Sequence, residues 1–314
     1  MRIIDGAAID RAMSWPGIVA AIRAGHTKPK PQSGDFYFGD GTNGLLSRTA
    51  WIDGLGCCVK AATVFPGNLD RNPPLASIQG SVLLFDPGTG VTRALLDGPS
   101  LTRWKTAGDS ALGSAILSRP DVRVLAMVGA GNMAEPLIRA HLSVRPNIER
   151  IVIWNRSAPR AVTLASQLAD LNRRTDTTTD LEAAVRQADI VCSATMTKEP
   201  VIRGAWLKPG SHLDLVGAYT AAMREADDEA IKRSRLYVDF RGSTIGHIGE
   251  LMIPLQNRIV TVNDVLGDLY DLVPDGSGRT SADDITLFKN GGGAHLDLMT
   301  ALAAFEATKG SETA

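Results

Sequence analysis

The chain is 314 residues long, 44% apolar and 21% charged, which supplies a sizeable buried core. At about 100–200 residues per domain, that length predicts two domains. The 33 basic and 34 acidic side chains leave a net charge of -1, which argues against the basic footprint of a nucleic-acid partner. No apolar run approaches the ~18 residues of a membrane span, so no membrane partner is expected. Met1-Arg-Ile-Ile-Asp-Gly6 sets an acid and a glycine where a signal peptide carries its apolar stretch. A cytoplasmic location is therefore expected. Cys57 and Cys58 are adjacent, and on a strand they point to opposite faces. Cys192 stands alone, and no Cys/His spacing suggests a metal.

Residues 1–30 read as a short strand followed by two short helices, with Ile9, Met13, Ile18, Ala21 and Ile22 in partial helical spacing around Pro16. Lys28-Pro-Lys-Pro-Gln-Ser-Gly34 is a loop signal. From Phe36 to Leu96 the pattern is strand-like, with runs at Phe36–Phe38, Leu45–Leu46, Cys57–Phe65 and Val82–Phe85. Pro66-Gly-Asn68 and Asp86-Pro-Gly-Thr-Gly90 read as turns. Leu101 to Leu117 reads as one helix capped by Ser100 or Thr102.

At Pro120 the texture changes. Strand runs at Val122–Val128, Ile151–Trp154, Ile190–Ala194, Leu213–Val216 and Leu236–Asp239 alternate with helical stretches to about Arg145, at 158–171 and at Leu181–Ala188. Such alternation predicts parallel βαβ units. A helical tail starts near Ala294.

Gly129-Ala-Gly131-Asn132-Met133-Ala134 follows a strand and opens a helix. This is GxGxxA, a form of the dinucleotide fingerprint. The first glycine permits the turn, the second lets backbone approach a pyrophosphate, and the small third residue lets helix and strand pack closely. The helix start offers free N–H groups and a partial positive charge. The second strand ends in Asn155-Arg156-Ser157 rather than in an acid. A guanidinium suits a 2′-phosphate, so NADP(H) is expected over NAD(H). Ala194 and Thr195, at the end of the third strand run, complete the expected cofactor set.

Gly56-Cys-Cys-Val-Lys60-Ala-Ala-Thr-Val-Phe-Pro-Gly-Asn68, Leu101-Thr-Arg-Trp-Lys105-Thr-Ala and the fingerprint occur in order with Gly210–Gly217 and Leu287-Phe-Lys-Asn-Gly-Gly-Gly293. Together they resemble the ornithine cyclodeaminase/mu-crystallin family over nearly the whole chain. The resemblance implies an α/β fold: a Rossmann doubly wound parallel sheet at 120–287, and a discontinuous α+β substrate and dimerisation domain from 1–119 plus 288–314. It implies a homodimer acting on small imino or amino acids. It also implies that Lys60 is catalytic and binds substrate, and that Lys105 binds substrate where the family usually has Arg. A lysine keeps the charge but loses the planar two-point grip. A further family arginine has no match at Pro31-Gln32-Ser33. Arg48 is the candidate replacement.

Tyr219 stands where the family's cyclodeaminases and alanine dehydrogenases carry Asp. Ala218-Tyr-Thr-Ala-Ala-Met-Arg-Glu-Ala-Asp227 is more similar to the family's Δ1-pyrroline-2-carboxylate, or cyclic ketimine, reductases. The expected activity is NAD(P)H-dependent reduction of a cyclic imino acid. Ornithine cyclodeaminase, an open-chain amino acid dehydrogenase and a non-catalytic NADP(H)-binding protein are the alternatives. From pattern alone, Lys60 on a pocket and Lys60 on a water-facing edge strand are about even. The resemblance implies an acid at a similar place on the terminal helix, so Asp297 is a candidate to approach the pocket, but near the start of the last helix it is read as structural, in keeping with the helix dipole. No histidine is assigned a role.

Overall fold

A computed structural model describes residues 1–310. The chain forms two compact units. Unit 1 comprises Met1–Lys105 and the chain from Gly293 onward, and unit 2 comprises Thr106–Gly292. The sequence placed the first division near residue 119, whereas helix α3 (Gly98–Leu117) runs unbroken across the division between Lys105 and Thr106.

Unit 1 starts with β1 (Arg2–Ile4), α1 (Gly6–Ala12) and α2 (Trp15–Gly25). Asp5 caps α1 by accepting from Ala8 N, and Ser14 caps α2 by accepting from Gly17 N. Each cap satisfies an N–H that the helix cannot. Five further strands follow: β2 (Gln32–Gly39), β3 (Gly44–Ile52), β4 (Gly56–Val64), β5 (Ile78–Phe85) and β6 (Thr92–Asp97). The sheet order is β1-β6-β5-β4-β3-β2, antiparallel except for β1 beside β6. β4 is an interior strand, and Cys58, Lys60 and Ala62 alternate onto its buried face. Cys57 is half-buried and Cys58 buried, both as free thiols.

The cap of α3 differs from expectation. Asp97 Oδ1, rather than Ser100 or Thr102, accepts from Ser100 N at 2.7 Å. Ser100 Oγ is turned to Asp10, and Thr102 Oγ1 bonds back to Gly98 O. A carboxylate one turn earlier wins because it accepts at the helix start with full charge.

Unit 2 holds eight parallel strands: β7 (Val124–Val128), β8 (Arg150–Trp154), β9 (Arg174–Thr178), β10 (Ile190–Ser193), β11 (His212–Leu215), β12 (Ser234–Val238), β13 (Val265–Gly267) and β14 (Ile285–Lys289). Their order is β13-β12-β14-β11-β10-β7-β8-β9. The order reverses between β7 and β10, the switch point where doubly wound sheets bind ligands at their carboxyl ends. α4 (Ala134–Val144), α5 (Ala158–Gln167) and α6 (Leu181–Gln187) connect the first half. α7 (Asp228–Arg233), α8 (Arg241–Thr244), α9 (Gly249–Gln256) and α10 (Leu269–Asp275) lie in the second. The stretch read as helix over 158–171 is α5 plus a separate turn at Ala169–Leu171. A core of Ala126, Val128, Val191, Leu213, Leu215, Leu236 and Leu287 is almost fully shielded from water. Each buried Val or Leu contributes about 1.5–3 kcal/mol.

The last helix, α11 (Ala294–Gly310), returns to unit 1 and packs on α2, β3 and β4. Leu296, Leu298, Ala301 and Ala304 are fully buried in it.

Candidate functional site

In unit 2 the fingerprint fits a dinucleotide by its own geometry. Gly129 has φ +106°, a conformation that L side chains rarely adopt, and an added Cβ would lie 2.9 Å from Ala194 O. Around Gly131 nothing lies within 4 Å of where a Cβ would be, so its backbone is open to a bulky ligand. Met133 stands at the N-cap of α4 with no side-chain hydrogen bond to the helix, and Ala134 opens the helix, fully buried. Asn132 is exposed beside them. Asn155 Oδ1 accepts from Ala130 N at 3.1 Å and pins the loop to the end of β8. Arg156 is exposed and makes no hydrogen bond or ion pair with any described residue. Ser157 begins α5 without using its hydroxyl as a cap.

Ala194 and Thr195 are held by a buried acid that sequence reasoning passed over. Glu225 Oε1 accepts from Ser193 Oγ at 2.5 Å, Thr195 N at 2.8 Å and Thr195 Oγ1 at 2.9 Å. Its Oε2 accepts from Gly217 N at 2.5 Å and Ala218 N at 3.1 Å. One carboxylate thus fixes the loops after β10 and β11, at the carboxyl ends where ligands bind. Glu250 in turn accepts from Glu225 N and Ala226 N. Burial, with Glu225 beside it, pushes Glu250 up to about 7. Glu225 lies within the Ala218–Asp227 stretch, but nothing in its spacing marks it as buried. Tyr219, on the loop that follows, is 59% exposed.

Unit 1 carries the cations. Lys60 is 7% exposed, which removes the edge-strand alternative: an interior strand turns it inward. Lys105 is 4% exposed, so α3 does not present it to water as a solvated face would. Both ammonium groups meet on one oxygen. Lys60 Nζ lies 3.2 Å and Lys105 Nζ 3.3 Å from Asp297 Oδ1. Lys60 Nζ also donates to Thr102 Oγ1 at 2.8 Å. Burial lowers Lys105 to about 8, opposed by Asp297. Asp297 itself is held below the usual carboxylate range, because Lys105, Lys60 and Arg48 outweigh the burial that would raise it. Arg48 is the register partner of Lys60 and pairs with Asp35 at 2.9 Å. The structure therefore groups Lys60, Lys105 and Arg48, and adds Asp297, whose acid gives no sequence sign of standing between two lysines.

A second buried polar group lies in unit 2. Asp214 accepts from Ser110 Oγ at 2.9 Å and Cys192 Sγ at 3.1 Å, with His141 Nε2 at 3.1 Å. Burial pushes the Cys192 thiol up, so it serves as a donor to the carboxylate. Both oxygens of Asp214 are thus engaged, whereas His141 Nδ1 is buried with no hydrogen-bond partner among the described residues.

Comparison with known proteins follows the same lines. The model of the ornithine cyclodeaminase/mu-crystallin family matches residues 52–312. A Δ1-pyrroline-2-carboxylate reductase of Paracoccus denitrificans is 51% identical over 290 residues, 92% of this chain and 91% of that protein. The ketimine reductase mu-crystallin of Rattus norvegicus is 32% identical over 250 residues, 79% of this chain and 74% of that protein. The structure of Thermococcus litoralis Δ1-pyrroline-2-carboxylate reductase in complex with NADH and L-proline superimposes with a TM-score of 0.91 at 26% identity, covering 99% of this chain and 98% of that one.

Proposed function

The chain belongs to the ornithine cyclodeaminase/mu-crystallin family, and on that premise we propose that it is an NAD(P)H-dependent reductase of cyclic α-imino acids. Reduction of Δ1-pyrroline-2-carboxylate to L-proline is the type reaction. The observation that carries this reading is the pair of buried ammonium groups of Lys60 and Lys105 on the single carboxylate of Asp297. Two positive charges and one negative leave one positive charge, which suits a small monoanionic acid. A nicotinamide cofactor, when bound, would supply hydride chemistry. The protein's own part is to hold the carboxylate, through Lys60, Lys105 and Arg48, so that the C=N bond is fixed in place. Thr102 and Asp297 keep the Lys60 amine from swinging. The ring nitrogen takes one proton, which a protonated imine already carries.

Gly129, Gly131, Asn132, Met133, Ala134, Asn155, Arg156, Ser157, Ala194 and Thr195 are the proposed cofactor set. Arg156 supports NADP(H) over NAD(H), because it is exposed, cationic and not spent on an acid. Unit 1 is the proposed substrate and dimerisation domain, and unit 2 the dinucleotide domain. Exposed Phe36, Tyr37 and Phe38 on the edge strand β2 support a homodimer.

The test is a panel of five- and six-membered ring imino acids, pyruvate with ammonia, and L-ornithine. Oxidation of NADPH or NADH with the ring imines is expected. Ammonia release from ornithine without added cofactor, or turnover of none of the ring imines, rejects the reading.

A further inference from the structure

Unit 1 poses a question that a bare pair of lysines does not answer. Two ammonium groups on separate elements repel one another, and each lysine stem is flexible. Yet Lys60 of β4 and Lys105 of α3 both reach Asp297 Oδ1, within 3.2 and 3.3 Å. Asp297 is fully buried on α11. A buried carboxylate is costly unless paired, so its place here calls for a role.

We propose that Asp297 is a positioning residue for the substrate: it holds the Lys60 and Lys105 ammonium groups on one oxygen, and so presents them as a single two-point grip for one α-carboxylate. This inference rests on the reading of the chain as an imino-acid reductase. An ammonium has three donors. Lys60 spends two of them, on Thr102 and Asp297, and keeps one. Lys105 spends one, on Asp297, and keeps two. Donors from both lysines therefore remain for a ligand's two carboxylate oxygens. The grip that a planar guanidinium supplies in one side chain is assembled here from two amines and an acid.

The same arrangement sets which ligands fit. With Asp297 charged, the trio holds one net positive charge, so a monocarboxylate neutralises it and a second carboxylate finds no partner within it. The other groups facing the trio are Arg48 from β3, Cys58 from β4, His26 at the end of α2 and His295 on α11 itself. Burial holds His26 down at about 4 and His295 well below its ordinary value, so both are neutral. Burial holds the Cys58 thiol protonated. Arg48 carries its own acid, Asp35. Burial brings Lys105 down to about 8, against the pull of Asp297.

The experiment measures pyrrole-2-carboxylate, a planar monocarboxylate probe, by calorimetry against the full-length protein, with the pH profile of kcat/KM alongside. In Asp297→Asn measured at pH 8, where Lys105 without its acid gives up its proton, probe affinity is expected to fall about tenfold or more, as for loss of the charge-assisted bond from Lys105. The alkaline limb should move to lower pH, because the group that raises Lys105 is gone. A change that only loosened the fold would leave that limb in place. NADPH binding should be unchanged. Asp297→Glu keeps the charge but displaces it by one methylene. It should bind the probe more weakly with the limb near its original pH. A folded Asp297→Asn protein with unaltered affinity and limb overturns the proposal. If that variant does not fold, unaltered probe affinity in Asp297→Glu overturns it instead. Wild-type protein that binds the probe yet reduces no ring imine rejects the assigned reaction while leaving the grip standing.

Discussion

Arg48 and Lys60 stand directly opposite one another on adjacent antiparallel strands, so their side chains leave the sheet on the same face. Like charges in that position destabilise unless an acid is shared nearby. Asp35 and Asp297 are those acids.

Replacing Lys60 by Ala removes one charge-assisted grip worth about 1.5–3 kcal/mol, or roughly 10- to 150-fold. The expected result is a fall of that order in kcat/KM for the ring imine. The dissociation constant for NADPH, read by fluorescence, should hold, since the fingerprint lies in the other unit. Full activity in Lys60→Ala would remove this residue from the site.

Lys105 sets a pH dependence. Burial lowers it to about 8. Below that value it is an ammonium and binds the carboxylate; above it, it is a neutral amine and does not. We therefore predict that kcat/KM falls as pH rises through about 8, while binding of the cofactor does not follow. In Lys105→Arg the charge persists far beyond this range, because a guanidinium does not lose its proton. Its profile should stay flat there. A wild-type profile that is flat through about 8 would contradict the assignment.

Arg156 decides between the two nicotinamide cofactors. Its replacement by Ala should raise KM for NADPH by about tenfold or more, the worth of a charge-assisted pair, and leave KM for NADH nearly unchanged. Equal loss with both cofactors would mean that Arg156 does not meet a 2′-phosphate.

Gly129→Ala places a methyl 2.9 Å from Ala194 O at φ +106°. Strain at such a position costs about 1–3 kcal/mol. A lower melting temperature and weaker cofactor binding are expected together. Retained NADPH affinity in this variant would show that the turn does not carry the pyrophosphate.

The proposed dimer is tested on β2. Phe36 and Phe38 are 57% and 65% exposed and share one face of an edge strand. The double change Phe36→Lys, Phe38→Lys should halve the mass seen by light scattering and leave the spectrum of the fold intact. A wild-type monomer would dispose of the interface altogether.

Much of the dinucleotide half was legible because its signals are local. A buried strand, two glycines and a helix start lie within a dozen residues, and each has a conformational reason to be there. β9 escaped notice because Arg174-Thr-Asp-Thr-Thr178 is a polar run at the sheet edge, where burial does not force an apolar pattern. β14 was visible only as part of a motif, since Ile285–Lys289 is buried throughout and its lysine broke the run. The ion pairs of Asp297 were not legible, for a different reason. Helix α11 is buried nearly all round from Ala294 to Ala301, so it has no polar face on which to place an acid by periodicity. Its partners, Lys60 and Lys105, come from nearly two hundred residues or more away, and no spacing rule reaches that far.

That separation bears on how the protein is made. Unit 2 is one unbroken stretch of chain, whereas unit 1 needs its first 105 residues and then the helix that begins at Ala294. A ribosome therefore completes unit 2 while the sheet of unit 1 still lacks the helix that packs on it. Until that helix emerges, Lys60 and Lys105 lack the carboxylate that pairs with them in the folded unit. Asp297 therefore reaches Lys60 and Lys105 only after the whole of unit 2 has been synthesised.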